Sequence, residues 1–239
     1  MSPDSASSEI LGGASSLPRF HVVTDDRVLS APGFRHRAAR LLELGGPSLA
    51  LHLRGPHTAG RTLHALGTEL VASARDTGSL VLVNDRIDVA MACGADGVQL
   101  GTRSLDPSDG RGVLDRSPGI ARRPVPVMGA SVHDEGEAGT AVEAGADFLI
   151  AGSVFATPSH PGAEPMGVDG LGAIVAVAGE IPVIGIGGLT PDRVSAALGA
   201  GAWGVAVLSG VWGAEDLGSS VGAYLDALSG GGADAAGPV

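Results

Sequence analysis

Polar side chains that could do chemistry follow several of the short apolar runs in this sequence. His133 comes directly after one such run and just before Asp134, where a helix is expected to begin. Because an imidazole titrates at a pH of about 6.5, it can accept and release a proton at neutral pH. His133 is therefore a candidate general acid and base, and the plainer alternative is a histidine that only caps a helix or faces solvent.

Two glycine-containing turns could hold a phosphate group. Gly187 and Gly188 follow the run IPVIGI and precede a helix, so their N–H groups would point outward at the positive end of a helix dipole. Ser209 and Gly210 follow the next apolar run and could add further donors. We expect these four residues to bind phosphate, unless the glycines serve only to permit a tight turn.

His52, Arg54 and Asp85 stand at the ends of two other runs. His52 and Arg54 are two positions apart, so on a strand their side chains share a face, and Arg54 could meet a carboxylate or a phosphate unless the rim is merely solvated. Asp85 could bind Mg²⁺ only with further carboxylates or a bound diphosphate, and it could equally cap the next helix. The sequence therefore predicts no metal site, unless Asp85 shares an ion with a diphosphate.

The elements that must position these residues alternate regularly. Eight β-branched runs, each followed by a turn and an alanine-rich helical stretch, predict a single compact (β/α)8 TIM barrel over residues 18–228. An open doubly wound sheet is less favoured, because no G-x-G-x-x-G follows the first strand. Stretches rich in Ser, Gly and Ala at 1–17 and 229–239 are predicted to be loose tails. The predicted strands are 20–24, 48–54, 80–84, 97–100, 126–131, 148–152, 182–187 and 204–209, and the helices 33–44, 60–76, 86–94, 108–116, 134–144, 168–179, 191–200 and 215–228.

Active sites of such barrels lie at the carboxyl ends of the strands, in the loops that lead to the helices. The polar residues at these ends would therefore share one rim with His133 and the two phosphate turns. The predicted substrate-binding residues on this rim are His52, Arg54, Asn84, Gln99, Ser131, Ser153 and Thr157.

The composition excludes several classes of protein. All 15 basic residues are arginine, and a chain without lysine cannot form a Schiff base, anchor pyridoxal phosphate or build a Walker A loop. With 26 acidic residues the net charge is −11, which disfavours nucleic acid and anionic membranes as partners. A single cysteine allows neither an internal disulfide nor a cysteine-based zinc site. No apolar run predicts a membrane span or a signal peptide, so we expect a cytoplasmic protein, and a homodimer if it assembles with itself.

Five motifs taken together resemble the thiamine phosphate synthase superfamily, which also contains the TenI-type thiazole tautomerases. The resemblance covers residues 18–228 and implies a TIM barrel, a role in thiamine biosynthesis and a small phosphorylated thiazole as ligand. The motifs are NDRIDVAMACGADGVQLG (84–101), GASVH (129–133), GADFLIAGSVFATPSHPG (145–162), IPVIGIGGLTPDRV (181–194) and GAWGVAVLSGV (201–211).

Three departures separate this chain from the synthase pattern. The synthases carry Gln-x-Arg-acid-Lys after strand two, an aspartate after strand four and Thr-Pro-Thr-Lys-Pro after strand six. Here these segments are 52–56 (HLRGP), Ser104 and 157–161 (TPSHP), so two lysines and one Mg²⁺ carboxylate are missing, with Arg103 as a nearby substitute. Fewer cations at the site would stabilise a departing diphosphate less well.

The tautomerases need neither metal nor diphosphate, and their pattern is similar to His52-Leu53-Arg54, to Val98-Gln99-Leu100 with Ser104, and to Ser131-Val132-His133. We therefore expect a TenI-like thiazole tautomerase, an isomerase without cofactor that aromatises a carboxythiazole phosphate, with His133 as its acid and base. Two alternatives stay open. One is a divergent, Mg²⁺-dependent thiamine phosphate synthase that uses Asp85, and the other is a non-catalytic thiazole-phosphate-binding or regulatory module.

Overall fold

The computed structural model describes residues 17–116, 126–157, 162 and 164–230 of the 239-residue chain. Eight parallel strands pair in chain order, and β1 also pairs with β8, which closes them into a barrel. The predicted (β/α)8 barrel is confirmed, and every predicted strand is present with its ends shifted by two residues at most. The strands are β1 (Phe20–Val23), β2 (Leu49–Leu53), β3 (Leu80–Asn84), β4 (Gly97–Leu100), β5 (Val127–Val132), β6 (Phe148–Gly152), β7 (Val183–Ile186) and β8 (Gly204–Val207).

The helices follow the prediction less closely than the strands do. Two short helices, α1 and α9, were not predicted, because four or five residues are too few to show a helical period. The helix expected at 191–200 begins as a 3₁₀ turn at Pro191–Arg193, and another 3₁₀ turn lies at Gly46–Ser48. The helices are α1 (Asp26–Ser30), α2 (Phe34–Gly45), α3 (Gly60–Thr77), α4 (Ile87–Cys93), α5 (Pro107–Asp115), α6 (Glu135–Glu143), α7 (Gly167–Ala178), α8 (Val194–Gly199), α9 (Ser209–Trp212) and α10 (Leu217–Gly230).

The two predicted tails lie almost wholly outside the described residues. Of the predicted tail residues only Leu17, Ser229 and Gly230 are described, and the last two belong to α10. Within the described ranges, no helix has the length and apolar character that a membrane crossing requires.

Successive side chains on each strand point alternately outward to the helices and inward to the barrel, so the apolar residues form two separate layers. On β2 the side chains of Leu49, Leu51 and Leu53 pack outward beneath the helices, whereas Ala50 belongs to a second cluster inside the barrel. The period of two places His52 on the same inward side as Ala50, and it is fully buried. Other members of the inner cluster are Val23, Leu82, Val127, Phe148, Ile150, Ile184 and Ala206.

Arg19 fastens the seam at which the barrel closes. Its guanidinium donates from Nε to the carbonyl of Trp203 (2.8 Å) and from Nη1 to the carbonyl of Leu228 (2.9 Å). It also lies over the indole ring of Trp203, 5.9 Å from the ring centroid. One side chain ahead of β1 thus holds the segment that enters β8 and the end of α10.

Candidate functional site

The inward-facing polar residues predicted from the sequence meet at the carboxyl end of the barrel. Asn84 and Gln99 are register partners on β3 and β4, and the Gln99 side chain donates from Nε2 to the hydroxyl of Ser131 on β5 (3.0 Å). Gln99 is only 1 % exposed, so its amide is held in a fixed place by its neighbours. His52 lies one strand away and its ring interacts with the side chain of Asn84.

His52 also pairs with a residue that the sequence analysis did not single out. His21, on β1, places its Nδ1 2.7 Å from Nε2 of His52, and both rings are fully buried. Burial lowers the pKa of His21 to about 4, with the carbonyl of Pro18 acting in the opposite direction. Burial also holds the pKa of His52 well below its usual value, so both rings are neutral at pH 7. The sequence feature that could have revealed His21 is its position two residues before Val23, which places both side chains on the inward side of β1.

Asp85 ties the loop after β3 to the loop after β4. Its Oδ1 accepts hydrogen bonds from the N–H of Gly101 (2.8 Å) and the hydroxyl of Ser104 (2.5 Å). Its φ of +63° lies in the left-handed region that non-glycine residues rarely adopt. The alternative that Asp85 caps the next helix is wrong, because Arg86 holds the cap position of α4 and the carboxylate points to the neighbouring loop.

Arg54 stands at the mouth with its backbone fixed and its charge uncommitted. The buried hydroxyl of Thr24 accepts from the N–H of Arg54 (2.8 Å) and donates to its carbonyl (2.9 Å). Its half-buried guanidinium makes no ion pair or hydrogen bond with the described residues. Arg86, in contrast, forms an ion pair with Asp88 through two hydrogen bonds of 2.8 and 2.6 Å. Arg54 is thus available for an anion.

The turn after β7 requires its two glycines. Gly187 and Gly188 have φ of +101° and +60°, and a Cβ on Gly188 would lie 2.5 Å from the carbonyl oxygen of Ala156. A Cβ on Gly187 would lie 2.6 Å from Cβ of Ser153. The N–H of Gly188 has no acceptor among the described residues, which suits an anion. The alternative of a tight turn alone accounts for the glycines but leaves this N–H unused.

The second predicted phosphate turn, Ser209 and Gly210, opens the short helix α9. Both residues are exposed, and the strand that precedes them, β8, is paired with β7, so the two turns are neighbours on the rim. A Cβ on Gly210 would collide with the hydroxyl of Tyr224, which donates to the carbonyl of Leu189 (3.0 Å). Tyr224 thus fixes both turns from below, a role that the sequence analysis missed.

His133 lies on the same rim but its imidazole is turned towards its own helix. The N–H of His133 donates to Oε2 of Glu137 (2.8 Å), and its Nδ1 lies 2.9 Å from the same oxygen. The side chain is 58 % exposed, and Asp134 caps α6 beside it. The structure therefore does not bring His133 into contact with His52, Asn84 or Gln99.

The loop after β6 contributes Ser153 and Thr157. Ser153 is half-buried, and its carbonyl accepts from the N–H of Met166 (2.9 Å). Residues 158–161 of the TPSHP segment lie outside the described residues. Across the described ranges, no group of three or more His, Cys, Asp or Glu side chains could hold a metal ion. Asp85 is therefore not part of a ready-made cluster of metal ligands in this part of the chain.

Fold and rim together define a TIM-barrel protein with two glycine turns and the fixed carboxylate of Asp85 at the carboxyl ends of its strands. The chain belongs to the family described as thiamine monophosphate synthase, which matches residues 20–211. It is 39 % identical to the thiamine-phosphate synthase of Methanoregula boonei over 82 % of this chain and 87 % of the relative. It is 37 % identical to that of Salinispora arenicola over 90 % and 99 %. A solved thiamine phosphate pyrophosphorylase from Pyrococcus furiosus superposes with a TM-score of 0.73 at 32 % identity, covering 89 % of this chain and 96 % of that one.

These relatives overturn the expected activity. The two curated relatives are named thiamine-phosphate synthase, which is a transferase, so the expectation of a TenI-like tautomerase and of an isomerase is wrong. The error came from the assumption that a chain without the two lysines could not bind and release diphosphate. A guanidinium carries the same charge as a lysine amine, and Arg103, on the loop after β4, is an arginine near the missing lysines. Loss of particular cations is therefore weaker evidence than the overall match.

Proposed function

We propose that this chain is a thiamine phosphate synthase, which joins a pyrimidine diphosphate to a thiazole phosphate and releases diphosphate. The observation that carries the proposal is the fixed carboxylate of Asp85, held at the mouth by Gly101 and Ser104 on a backbone in the left-handed region. Strain of this kind persists where surrounding contacts over-determine it, and it is concentrated at functional sites. The names of the relatives point to the same reaction.

The reaction requires negative charge to be met as it develops. The C–O bond between the pyrimidine carbon and diphosphate breaks, its electron pair leaves with diphosphate, and the thiazole nitrogen forms the new bond to carbon. Arg54 would pair with the diphosphate, because its guanidinium is not engaged elsewhere in the described residues. Arg103, on the loop that carries Ser104, would be a second cation.

The residues fit a Mg²⁺ ion shared with the substrate. Oδ1 of Asp85 is committed to Gly101 and Ser104, which leaves Oδ2 as a ligand. Mg²⁺ is commonly held by one or two carboxylates together with phosphate oxygens and water, so one carboxylate suffices when diphosphate is present. When bound, the ion would neutralise part of the charge on the leaving diphosphate.

The two substrates would take different parts of the mouth. Gly187, Gly188, Ser209 and Gly210 would hold the phosphate of the thiazole through backbone N–H groups. The pyrimidine ring would meet the polar layer of the barrel through its partly exposed members, Asn84 and Ser131. That layer consists of His52, Asn84, Gln99 and Ser131, with Ser153 and Thr157 above it on the loop after β6. The cytoplasm as compartment, the homodimer and the acid–base role of His133 stay predictions.

The test is an assay of the purified full chain with both substrates. We expect thiamine phosphate and diphosphate in equal amounts, and no product when Mg²⁺ is removed by a chelator. If the thiazole phosphate binds but neither product forms with Mg²⁺ present, the chain is a binding module and the proposal fails.

A further inference from the structure

A buried chain of polar contacts runs from the start of β1 to the mouth. His21 Nε2 lies 2.9 Å from the carbonyl oxygen of Pro18, and its Nδ1 lies 2.7 Å from Nε2 of His52. The His52 ring interacts in turn with the side chain of Asn84. Both imidazoles also contact the ring of Phe148, with centroids 5.8 and 6.5 Å away, so neither ring is free to turn.

The carbonyl of Pro18 sets the direction of this chain. A carbonyl only accepts, so Nε2 of His21 carries the hydrogen, and a neutral ring has only one N–H. Nδ1 of His21 then carries no hydrogen, so it must accept a hydrogen bond from Nε2–H of His52. His52 in turn keeps its other nitrogen, Nδ1, without a hydrogen. No carboxylate of the described residues contacts either ring, so nothing there favours a second proton.

The unpaired atoms of this layer are all acceptors. Nδ1 of His52, Oδ1 of Asn84 and Oε1 of Gln99 are buried without a hydrogen-bond partner among the described residues. Each buried acceptor left unpaired costs about 1–3 kcal/mol. These atoms have almost no exposed surface, so a ligand at the mouth would not reach them directly. Nδ1 of His52 gains a donor when the Asn84 amide turns so that its Nδ2 faces His52, which places Oδ1 of the partly exposed Asn84 towards the mouth.

We propose that His21 is a positioning residue that fixes His52 as its Nε2–H tautomer, so that Asn84 donates to His52 and presents its carbonyl oxygen to the N–H donors of a heterocycle at the mouth. The inference rests on the proposed synthase function and adds a residue to its pyrimidine site. With the opposite tautomer, Nδ1 of His52 would donate to Oδ1 of Asn84, and the NH₂ group of Asn84 would face the mouth instead. His21 therefore determines what this layer can bind without touching the ligand.

The tautomer can be read directly on the ligand-free protein. Long-range ¹H–¹⁵N correlation spectra of the ¹⁵N-labelled full chain at neutral pH distinguish protonated from bare ring nitrogens, and a His52→Gln variant assigns the signals. We expect a protonated Nε2 and a bare Nδ1 for His52. A hydrogen on Nδ1 of His52 overturns the proposal whatever the activity of the protein.

Kinetics of two variants test the positioning role. His21→Phe keeps the ring but removes the acceptor, and we expect KM for the pyrimidine diphosphate to rise roughly tenfold, the loss of about one hydrogen bond. KM for the thiazole phosphate should stay near the wild-type value. His21→Asn places an oxygen where Nδ1 was and should recover most of the loss. His64→Phe, the same change at an exposed site on α3, is the matched control.

A folded His21→Phe protein with wild-type kinetics for both substrates overturns the proposal, because a merely structural residue would lower only the melting temperature. If the wild type makes no thiamine phosphate, the synthase function fails separately. Calorimetric binding of the pyrimidine diphosphate then still compares wild type with His21→Phe, and equal affinities overturn the role of His21.

Discussion

At the scale of single residues, the site depends on groups that are held in one state by their neighbours. Asp85 is fixed by two donors from the next loop, and Arg54 is fixed through its backbone by Thr24. The two buried histidines are fixed by burial and by a carbonyl. Asp85 and Arg54 thus reach the mouth with one group committed and a charged atom available, whereas both ring nitrogens of His21 are committed.

Burial of His21 makes the stability of the fold depend on pH. Its pKa is about 4 in the folded protein and 6.5 when unfolded, so between these values the unfolded chain binds a proton that the folded chain does not. His21 should therefore lower the free energy of unfolding by about 1.4 kcal/mol per pH unit on acidification from 6.5 towards 4, and buried His52, whose pKa is also lowered, adds to this slope. Urea unfolding at several pH values should show a shallower dependence for His21→Asn. Identical slopes in the two proteins would contradict this assignment.

The carboxylate of Asp85 should be needed for turnover and not for folding. Asp85→Asn keeps the size of the side chain but removes the charge that would hold Mg²⁺. We expect kcat/KM to fall about a hundredfold, as when one electrostatic stabiliser of a transition state is lost. Asp88→Asn, which removes a nearby carboxylate paired with Arg86 at the surface, is the control and should change kcat/KM little. Equal losses in both variants would point to a general effect of charge.

At the scale of elements, the strands were predictable and the connections were not. β-branched runs bounded by Gly, Pro or charged residues located all eight strands, because each strand needs a continuous apolar segment between outer helices and inner core. The short helices α1 and α9 depend on contacts made after folding. One of these is the hydrogen bond from Nε1 of Trp212 in α9 to the carbonyl of Val23. Such contacts leave no local pattern in the sequence.

The same difference applies to the candidate site. Asn84, Gln99 and Ser131 were predicted together because strand ends in a barrel meet at one rim. The pairing of His21 with His52 could not be read from the sequence, since it requires the register of β1 on β2, in which Val23 and His52 are partners. The orientation of the His133 side chain could not be predicted from the sequence either, because it depends on a contact with Glu137, one turn further along α6.

The turn after β7 should tolerate no side chain at its second glycine. In Gly188→Ala the left-handed φ costs about 1–2 kcal/mol, and the added Cβ meets the backbone of Ala156. We expect KM for the thiazole phosphate to rise about tenfold or more. Gly199→Ala, at the end of α8 where an added Cβ meets nothing within 4 Å, is the control and should keep wild-type KM. An unchanged KM in folded Gly188→Ala would exclude this turn from phosphate binding.

At the scale of the whole molecule, stability and activity are separated on opposite faces of the barrel. The polar rim occupies the carboxyl ends of the strands, whereas the Arg19 seam lies at their amino ends. Two clefts of about 380 and 320 Å³ border Arg19 and Trp203 on that second face, away from every residue of the proposed mechanism.

Arg19 should therefore matter for unfolding and not for turnover. Arg19→Met keeps the aliphatic part of the side chain but loses two charged hydrogen bonds to carbonyls. We expect the free energy of unfolding to fall by about 2 kcal/mol in urea titrations, with kcat of the folded enzyme unchanged. Arg40→Met removes an exposed pair with Glu43 and should cost well under about 1 kcal/mol. Equal destabilisation by both substitutions would contradict the prediction that Arg19 stabilises the closure of the barrel more than an exposed ion pair does.

The seam also has a consequence for how the chain is made. Arg19 and its partner Leu228 are 209 positions apart, and β1 gains its second neighbour only when β8 has been synthesised. Until that moment a nascent chain on the ribosome carries β1 with one edge of unpaired N–H and carbonyl groups beside an apolar face. The open edge of β1 therefore stays exposed to aggregation until the last strand of the barrel has been made.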